Sequence, residues 1–274
     1  MAVISTAHQS PIEQGSCREI NAVQYIDGYW KRLPIKLPDE MPLSLFINGQ
    51  KNVSILCTPE KLNYLVIGYL RSEGFINNLD EITKMRVCLE ESLADTYLTY
   101  QTPSLHDKCT MASDCCGSAS FEKEESVPPL DSDWHVSPFQ ILSSIRLLQR
   151  KSKGRGSKNG IRKGMHMSAL SNGYKLIISA GDIGRHNTID KIWGECMLKG
   201  IPTKDCLLVT TGRISLEMLV KAAKMGIPVV ASLNSATNQA VELGANLGIT
   251  VVGYAHRNRL SVFSCKERLL FNDI

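Results

Sequence analysis

The chain has 274 residues, 43% of them hydrophobic and 21% charged, with a formal net charge of +4, a balance suited to one large globular domain or a domain with a subdomain. No segment approaches the roughly 18 uninterrupted apolar residues that cross a bilayer, and so balanced a charge argues against a nucleic-acid partner. The nine cysteines, at 17, 57, 88, 109, 115, 116, 196, 206 and 265, show no framework spacing, and the first residues lack a basic region followed by an apolar run. Both features lead us to expect a cytoplasmic protein whose thiols stay free.

In chain order, residues 1–38 are mixed and without clear periodicity, so an N-terminal extension or an edge element is expected there. Residues 39–136 read as a smaller α+β part. In it, "LSLFINGQKNVSILC" alternates apolar and polar positions around Asn48-Gly49, which tolerate the positive φ of a tight hairpin. Thr58 and Pro59 then look like the N-cap and first residue of a helix whose apolar face is Leu62, Leu65, Val66, Tyr69 and Leu70, with Gly74 as its stop. Residues 77–112 read as strand and turn, and the acidic, proline-bearing 122–136 as a linker.

Within that part, Cys115 and Cys116 sit side by side in "SDCCGSAS", residues 113–120. A disulfide between neighbours would need a strained ring. A soft metal ion held by His106, Cys109, Cys115 and Cys116 is chemically allowed, although no paired Cys-x-x-Cys occurs there.

Residues 137–274 read as an α/β domain, continuous with the preceding part or separate from it. Ser137-Pro138 opens a helix with Ile141, Leu142, Ile145 and Leu148 at helical spacing. The run "KSKGRGSKNGIRK" follows with six basic residues, three glycines and no acid, and without it the rest of the chain would carry −2. It is either a solvated loop or an anion clamp. Ser171-Asn172-Gly173 marks a second hairpin. From residue 187 helices (187–199, 214–225, 236–247) alternate with short apolar strands (206–211, 227–233, 249–255), the signature of parallel strands covered on both faces.

In such sheets ligands sit beyond the carboxyl ends of strands, which here selects Thr210–Arg213, Asn234–Thr237 and Ala255–Asn258. Thr211, Gly212, Arg213 and Ser235 are therefore candidate ligand contacts, against the plainer reading that Thr211, Ser215 and Ser235 only cap helices. The densest polar cluster is "GDIGRHNTIDK", residues 181–191. Asn187 as a helix cap, with Arg185 pairing to Asp182 or Asp190, accounts for much of it. What that leaves unexplained is an Asp, an Arg and a His together where an apolar strand meets a helix.

"GDIGRHNTIDK", "TTGRISLEMLVKAAKMGIPVVASLNSATNQAVELGANLGITVVGY" and "CTPEKLNYLVIGYLRSEGFI" closely resemble the formate dehydrogenase accessory protein family, the FdhD sulfur carriers; "MPLSLFING" and "GMHMSAL" are weaker matches. The resemblance implies a cytidine-deaminase-like α/β fold, a mixed sheet with helices on both faces, without deaminase activity and usually as a homodimer. The His-x-Glu and Pro-Cys-x-x-Cys signature of a zinc deaminase is indeed absent from the sequence. It further implies that sulfur passes from a cysteine desulfurase, as a persulfide, to the bis-molybdopterin guanine dinucleotide cofactor during formate dehydrogenase maturation, with GDP as a mimic of the bound cofactor.

Asp182, Gly184, Arg185, His186 and Asn187 match the family element, with Gly181 in place of its usual Glu. Gly164 and His166 keep part of a Thr-Gly-Gly-x-His motif in which Arg162 and Lys163 replace the Thr and the first Gly. A guanine dinucleotide calls for Arg, Lys and N–H donors at its phosphates and for Asp or Asn at its base. In the family's Cys-x-x-Cys-Gly loop, Cys116-Gly117 fall on the second cysteine and its glycine, while Ser113 stands at the first. Either Cys116 carries the sulfur, with Cys115 as a neighbour able to attack its persulfide, or the chain binds the cofactor without transferring sulfur.

Overall fold

Strands that are apolar on both faces need cover on both, and this requirement organises the larger half of the chain. The computed structural model describes residues 3–5, 17–100, 111–113, 117–119, 127–153 and 164–270. The N-terminal strands are β1 (Val3–Ser5), β2 (Cys17–Ile26), β3 (Tyr29–Pro38), β4 (Met41–Ile47) and β5 (Gln50–Cys57), followed by helix α1 (Leu62–Ser72). Next come β6 (Ile82–Cys88), β7 (Leu93–Leu98), β8 (Met111–Ser113), β9 (Gly117–Ala119) and helix α2 (Pro138–Lys153). The remainder runs β10 (His166–Ser171), β11 (Leu176–Asp182), α3 (Arg185–Lys199), β12 (Leu207–Thr210), α4 (Leu216–Lys224), β13 (Val229–Ser232), α5 (Asn238–Leu247), β14 (Thr250–His256) and β15 (Arg259–Val262).

The larger sheet has six strands in the order β11-β10-β12-β13-β14-β15. β12, β13 and β14 are parallel, and the flanking pairs are antiparallel. Alternation along the strands divides its side chains between two cores. Leu207, Val209, Val229, Ala231 and Val252 pack with Ile141, Ile145 and Leu148 of α2. Leu208, Val230 and Val251 belong instead to the core shared with Ile189 of α3, Leu219 of α4 and Leu247 of α5. The fold is thus mixed α/β with helices on both faces of this sheet.

A smaller five-stranded sheet, β1-β6-β7-β4-β5, packs against α1 through Leu43, Leu45, Leu65, Val66 and Leu70. The hairpin at Asn48-Gly49 is present, with both residues at positive φ (51° and 79°) and Ile47 opposite Gln50. α2 starts as its sequence requires: Ser137 Oγ accepts from the Gln140 N–H, while Gln140 Oε1 accepts from the Ser137 N–H, a reciprocal capping box with Pro138 at the first helical position. Among the described residues no helix is long and apolar enough to cross a membrane.

Two local expectations are corrected. α1 begins at Leu62, with Lys61 as its N-cap in the left-handed region (φ 55°), rather than at Thr58-Pro59, because the Thr58 hydroxyl is engaged by Asp182. Residues 17–38, read as aperiodic, form a ten-pair antiparallel ribbon of β2 and β3 around Asp27-Gly28, both at positive φ (50° and 91°).

The two sheets meet where α1 crosses α3. A Cβ added to Gly68 would lie 1.9 Å from the Asp190 carbonyl oxygen, and one on Gly194 would lie 2.0 Å from that of Tyr64. Only glycine allows this backbone-to-backbone approach.

Candidate functional site

The 182–187 cluster forms where β11 ends and α3 begins, and at its centre lies a carboxylate that is wholly buried. Asp182 Oδ1 accepts from the Gly184 N–H (2.8 Å) and from Asn187 Nδ2 (2.9 Å). Oδ2 accepts from the Thr58 N–H (3.1 Å), the Thr58 hydroxyl (2.8 Å) and Lys191 Nζ (2.5 Å). Lys191 is equally buried and also donates to the Thr58 carbonyl at 3.2 Å. With five donors on two oxygens, the carboxylate is satisfied inside the protein. Asp182 and Asn187 thereby shape the loop at the start of α3. Asn187 also ties it to β5 by donating to the Leu56 carbonyl at 2.9 Å. Gly184 is required there, because a Cβ would come within 2.7 Å of Asn187 Nδ2. Asn187 therefore braces the first turn of α3, whose N-cap is Gly184.

Arg185 pairs with neither acid proposed for it. Asp182 holds Lys191, and Asp190 holds Lys221 Nζ at 2.7 and 2.5 Å. Arg185 Nε is buried and meets no hydrogen-bond partner among the described residues. Its neighbours are Gly212 and His166, since a Cβ on Gly212 would lie 3.2 Å from Arg185 Cβ and 3.3 Å from His166 Nδ1. Three expected site residues, from β10, α3 and the end of β12, therefore converge. Burial, joined by the Arg185 charge, holds the His166 imidazole below its ordinary value of 6.5 and so favours the neutral ring.

The Thr211-Gly212 segment is fixed from both sides. Thr211 extends the β10 pairing, its N–H donating to the Met167 carbonyl and its hydroxyl accepting from the Met167 N–H. Ser232 Oγ donates to the Gly212 carbonyl (2.6 Å), and Asn234 Nδ2 donates to that of Thr211 (2.8 Å). Arg213 is exposed, and Ser235 is half-buried with its carbonyl accepting from the Ile214 N–H.

His186 lies in the first turn of α3 and is directed to α4, with Nε2 3.1 Å from Ser215 Oγ and 3.0 Å from Glu217 Oε2. Serine and acid meet the same ring nitrogen, so this is no Ser-His-acid relay. Burial pushes the Glu217 carboxyl up, against the lowering effect of Lys221 and Arg185. Ser215 is the N-cap of α4 but makes no side-chain cap bond, whereas Thr237 caps α5 by accepting from the Ala240 N–H.

Cys115 and Cys116, together with His106, Cys109 and the basic run from Gly154 to Lys163, lie outside the described residues. The strands on either side of the cysteine pair are described, with Ser113 of β8 opposite Gly117 of β9. Among the described residues no group of three or more His, Cys, Asp or Glu could hold a metal ion. Burial pushes the Cys196 thiol up to about 12 and raises those of Cys206 and Cys265.

Half-buried Arg185 thus stands at the N-terminus of a 15-residue helix, beside Gly212, whose N–H donates to Thr210 Oγ1 at 3.1 Å. A sequence profile of the FdhD/NarQ family matches residues 38–270, from the end of β3 to the last described residue. The chain belongs to the FdhD/NarQ family. The sulfur carrier protein FdhD of Bacillus subtilis (strain 168) is 34% identical over 254 residues, covering 90% of this chain and 95% of that protein. FdhD of Staphylococcus aureus (strain JH9) is 32% identical, covering 90% and 94%. A solved structure described as a formate dehydrogenase accessory protein from Desulfotalea psychrophila superposes with a TM-score of 0.76 at 25% identity, over 93% of this chain and 100% of that one. The FdhD assignment agrees with the family resemblance carried by "GDIGRHNTIDK".

Thr58 and Glu217 complete the site without having been singled out as site residues, whereas Lys191 belongs to the polar cluster and Asn234 to a strand end selected from the sequence. Thr58 was read as a cap. Its role rests on a contact across 124 positions of sequence that local pattern cannot show.

Proposed function

We propose that this chain binds a guanine-dinucleotide molybdenum cofactor and passes to it sulfur carried as a persulfide on Cys116, in the maturation of a formate dehydrogenase. The observation that carries the binding half is the convergence of Arg185, His166 and Gly212 at the start of α3, where Arg185 Nε is buried without a partner among the described residues. A phosphate oxygen there would meet the guanidinium and the helix N-terminus, with glycine permitting close backbone approach. Thr211, Arg213 and Ser235 extend the same rim along the strand ends. Asp182, Gly184 and Asn187 hold its shape, and His186 fixes α3 to α4.

In the transfer half, the Cys116 thiolate attacks the terminal sulfur of a cysteine desulfurase persulfide. A new S–S bond forms on Cys116, the donor's S–S bond breaks, and its electron pair leaves on the donor cysteine, so no external oxidant is needed. The raised thiols of Cys196, Cys206 and Cys265 are poor candidates for this nucleophile, whereas Cys116, with Cys115 beside it, falls on the second cysteine of the family loop. The cytidine-deaminase-like fold, the homodimer and cytoplasmic residence belong to the same reading.

Calorimetry with GDP tests the binding half: wild type should bind with better than millimolar affinity and Arg185→Gln should weaken it at least tenfold, whereas equal affinities would overturn the reading. Arg185, rather than buried Asp182, is the residue to change. Intact-mass analysis after incubation with a cysteine desulfurase and cysteine tests the other half. One added sulfur, about 32 Da from its atomic mass, should be lost in Cys116→Ala; persistence there moves the role to Cys115.

Ser113 favours a second reading, a cofactor binder without sulfur transfer, because a hydroxyl stands at the first cysteine position of the family loop. An unmodified wild-type mass alongside intact GDP binding would select it.

A further inference from the structure

The β2–β3 ribbon carries a large exposed apolar surface: Ile20, Val23, Tyr25, Tyr29, Trp30 and Leu37 are between 42% and 73% accessible. A two-stranded ribbon is marginal by itself, and three or more strands are usually needed for stability in water. Its two edges are built differently. The two-residue turn at Asp27-Gly28 makes Ile26 and Tyr29 a hydrogen-bonded pair, and alternation from there places the Asn21–Pro34 and Cys17–Pro38 pairs at positions that share no ladder bonds. At such positions the backbone N–H points away from the partner strand. Pro34 and Pro38 therefore remove donors from the outer edge of β3, a common protection against edge pairing. The outer edge of β2 has no such block, and Glu19, Asn21, Val23 and Tyr25 keep outward N–H groups.

We propose that the open edge of β2 pairs with β2 of a second copy of this chain, antiparallel about a two-fold axis, giving a four-stranded sheet in the order β3-β2-β2-β3. The inference rests on the homodimer reading above and names its surface. Charge placement favours a second copy over an acidic partner. The cations Lys31, Arg32 and Lys36 all lie on β3, the strand that self-pairing leaves outermost. β2 carries only Arg18 and Glu19, so two copies meet along a balanced seam. An isologous contact needs a self-complementary strand, and an unblocked antiparallel edge supplies one.

Light scattering on the full-length chain reads the outcome. Wild type should have twice the mass of one chain, and Val23→Pro and Asn21→Pro should each halve it, since both remove an outward donor while leaving the ladder bonds to β3 in place. Arg32→Pro makes the matching change on the opposite edge and should leave the mass unaltered. Amide exchange gives a readout free of any variant: Asn21, Val23 and Tyr25 should be protected in wild type. A dimer that survives both β2 prolines, or exposed amides at these three positions, overturns the surface while the homodimer stands. A wild type with the mass of one chain overturns both, and loss of the dimer in Arg32→Pro as well would trace the effect to ribbon disruption and overturn the edge assignment.

Discussion

Lys191 Nζ lies 2.5 Å from Asp182 Oδ2, and neither side chain is accessible to solvent. Removing either partner strands a charge in the interior. Asp182→Ala or Lys191→Met should each cost about 3–5 kcal/mol, whereas the double replacement by apolar residues should recover much of that loss. Urea unfolding of the two single variants and the double variant closes the cycle, and an additive result would show that the pair is not coupled.

Thr58 tests whether the second oxygen of Asp182 needs its hydroxyl donor. Thr58→Val should destabilise by about 1–3 kcal/mol, because Asp182 Oδ2 loses its hydroxyl donor in a buried place. Thr58→Ser keeps that hydroxyl and should restore most of the stability. If GDP binds, affinity should follow the same order, since Gly184 and Asn187 hang from the carboxylate that Thr58 steadies.

At the α1–α3 crossing, Gly194→Ala places a methyl 2.0 Å from the Tyr64 carbonyl and forces the helices apart. A loss of about 1–3 kcal/mol or more is expected from overpacking. Gly226→Ala is the comparison at positive φ (71°), where the nearest atom lies 3.8 Å away and only backbone strain opposes the change. Thermal unfolding of both separates steric from conformational cost.

His166 gives a pH dependence. Its folded pKa lies below 6.5, chiefly through burial, so between those values the unfolded chain binds the extra proton. Stability from this group is therefore present above 6.5 and is lost as pH falls through that value toward the folded pKa. Wild type should lose more stability than His166→Gln between pH 7 and pH 5 in parallel denaturant titrations. Equal losses would remove His166 as the cause.

The alternating strands and helices after residue 187 are legible in the sequence because each strand carries two apolar faces and each helix a period that local reading detects. Arg185, His166 and Gly212 can be nominated one by one from strand ends and motif. Their convergence cannot, because it depends on β10 lying beside β12. The ribbon was missed for another reason. Asp27-Gly28 is a strong turn signal, but its flanking strands carry exposed aromatics and prolines rather than a clean alternation. Thr58 was misassigned because a threonine before a proline and a helix satisfies capping rules locally, while its hydroxyl is drawn to a buried acid far along the chain.

The glycine crossing of α1 and α3 also bears on how the chain unfolds. Besides that backbone contact, Thr58 to Asp182, Asn187 to Leu56, and Lys61 to Glu195 and to the Ser179 carbonyl all link the small sheet to the large one. Opening the small sheet would expose the charges of Asp182 and Lys191 before any other part had melted. The two halves should therefore lose structure in a single cooperative transition, and a fragment beginning at α2 should not hold the start of α3 in place.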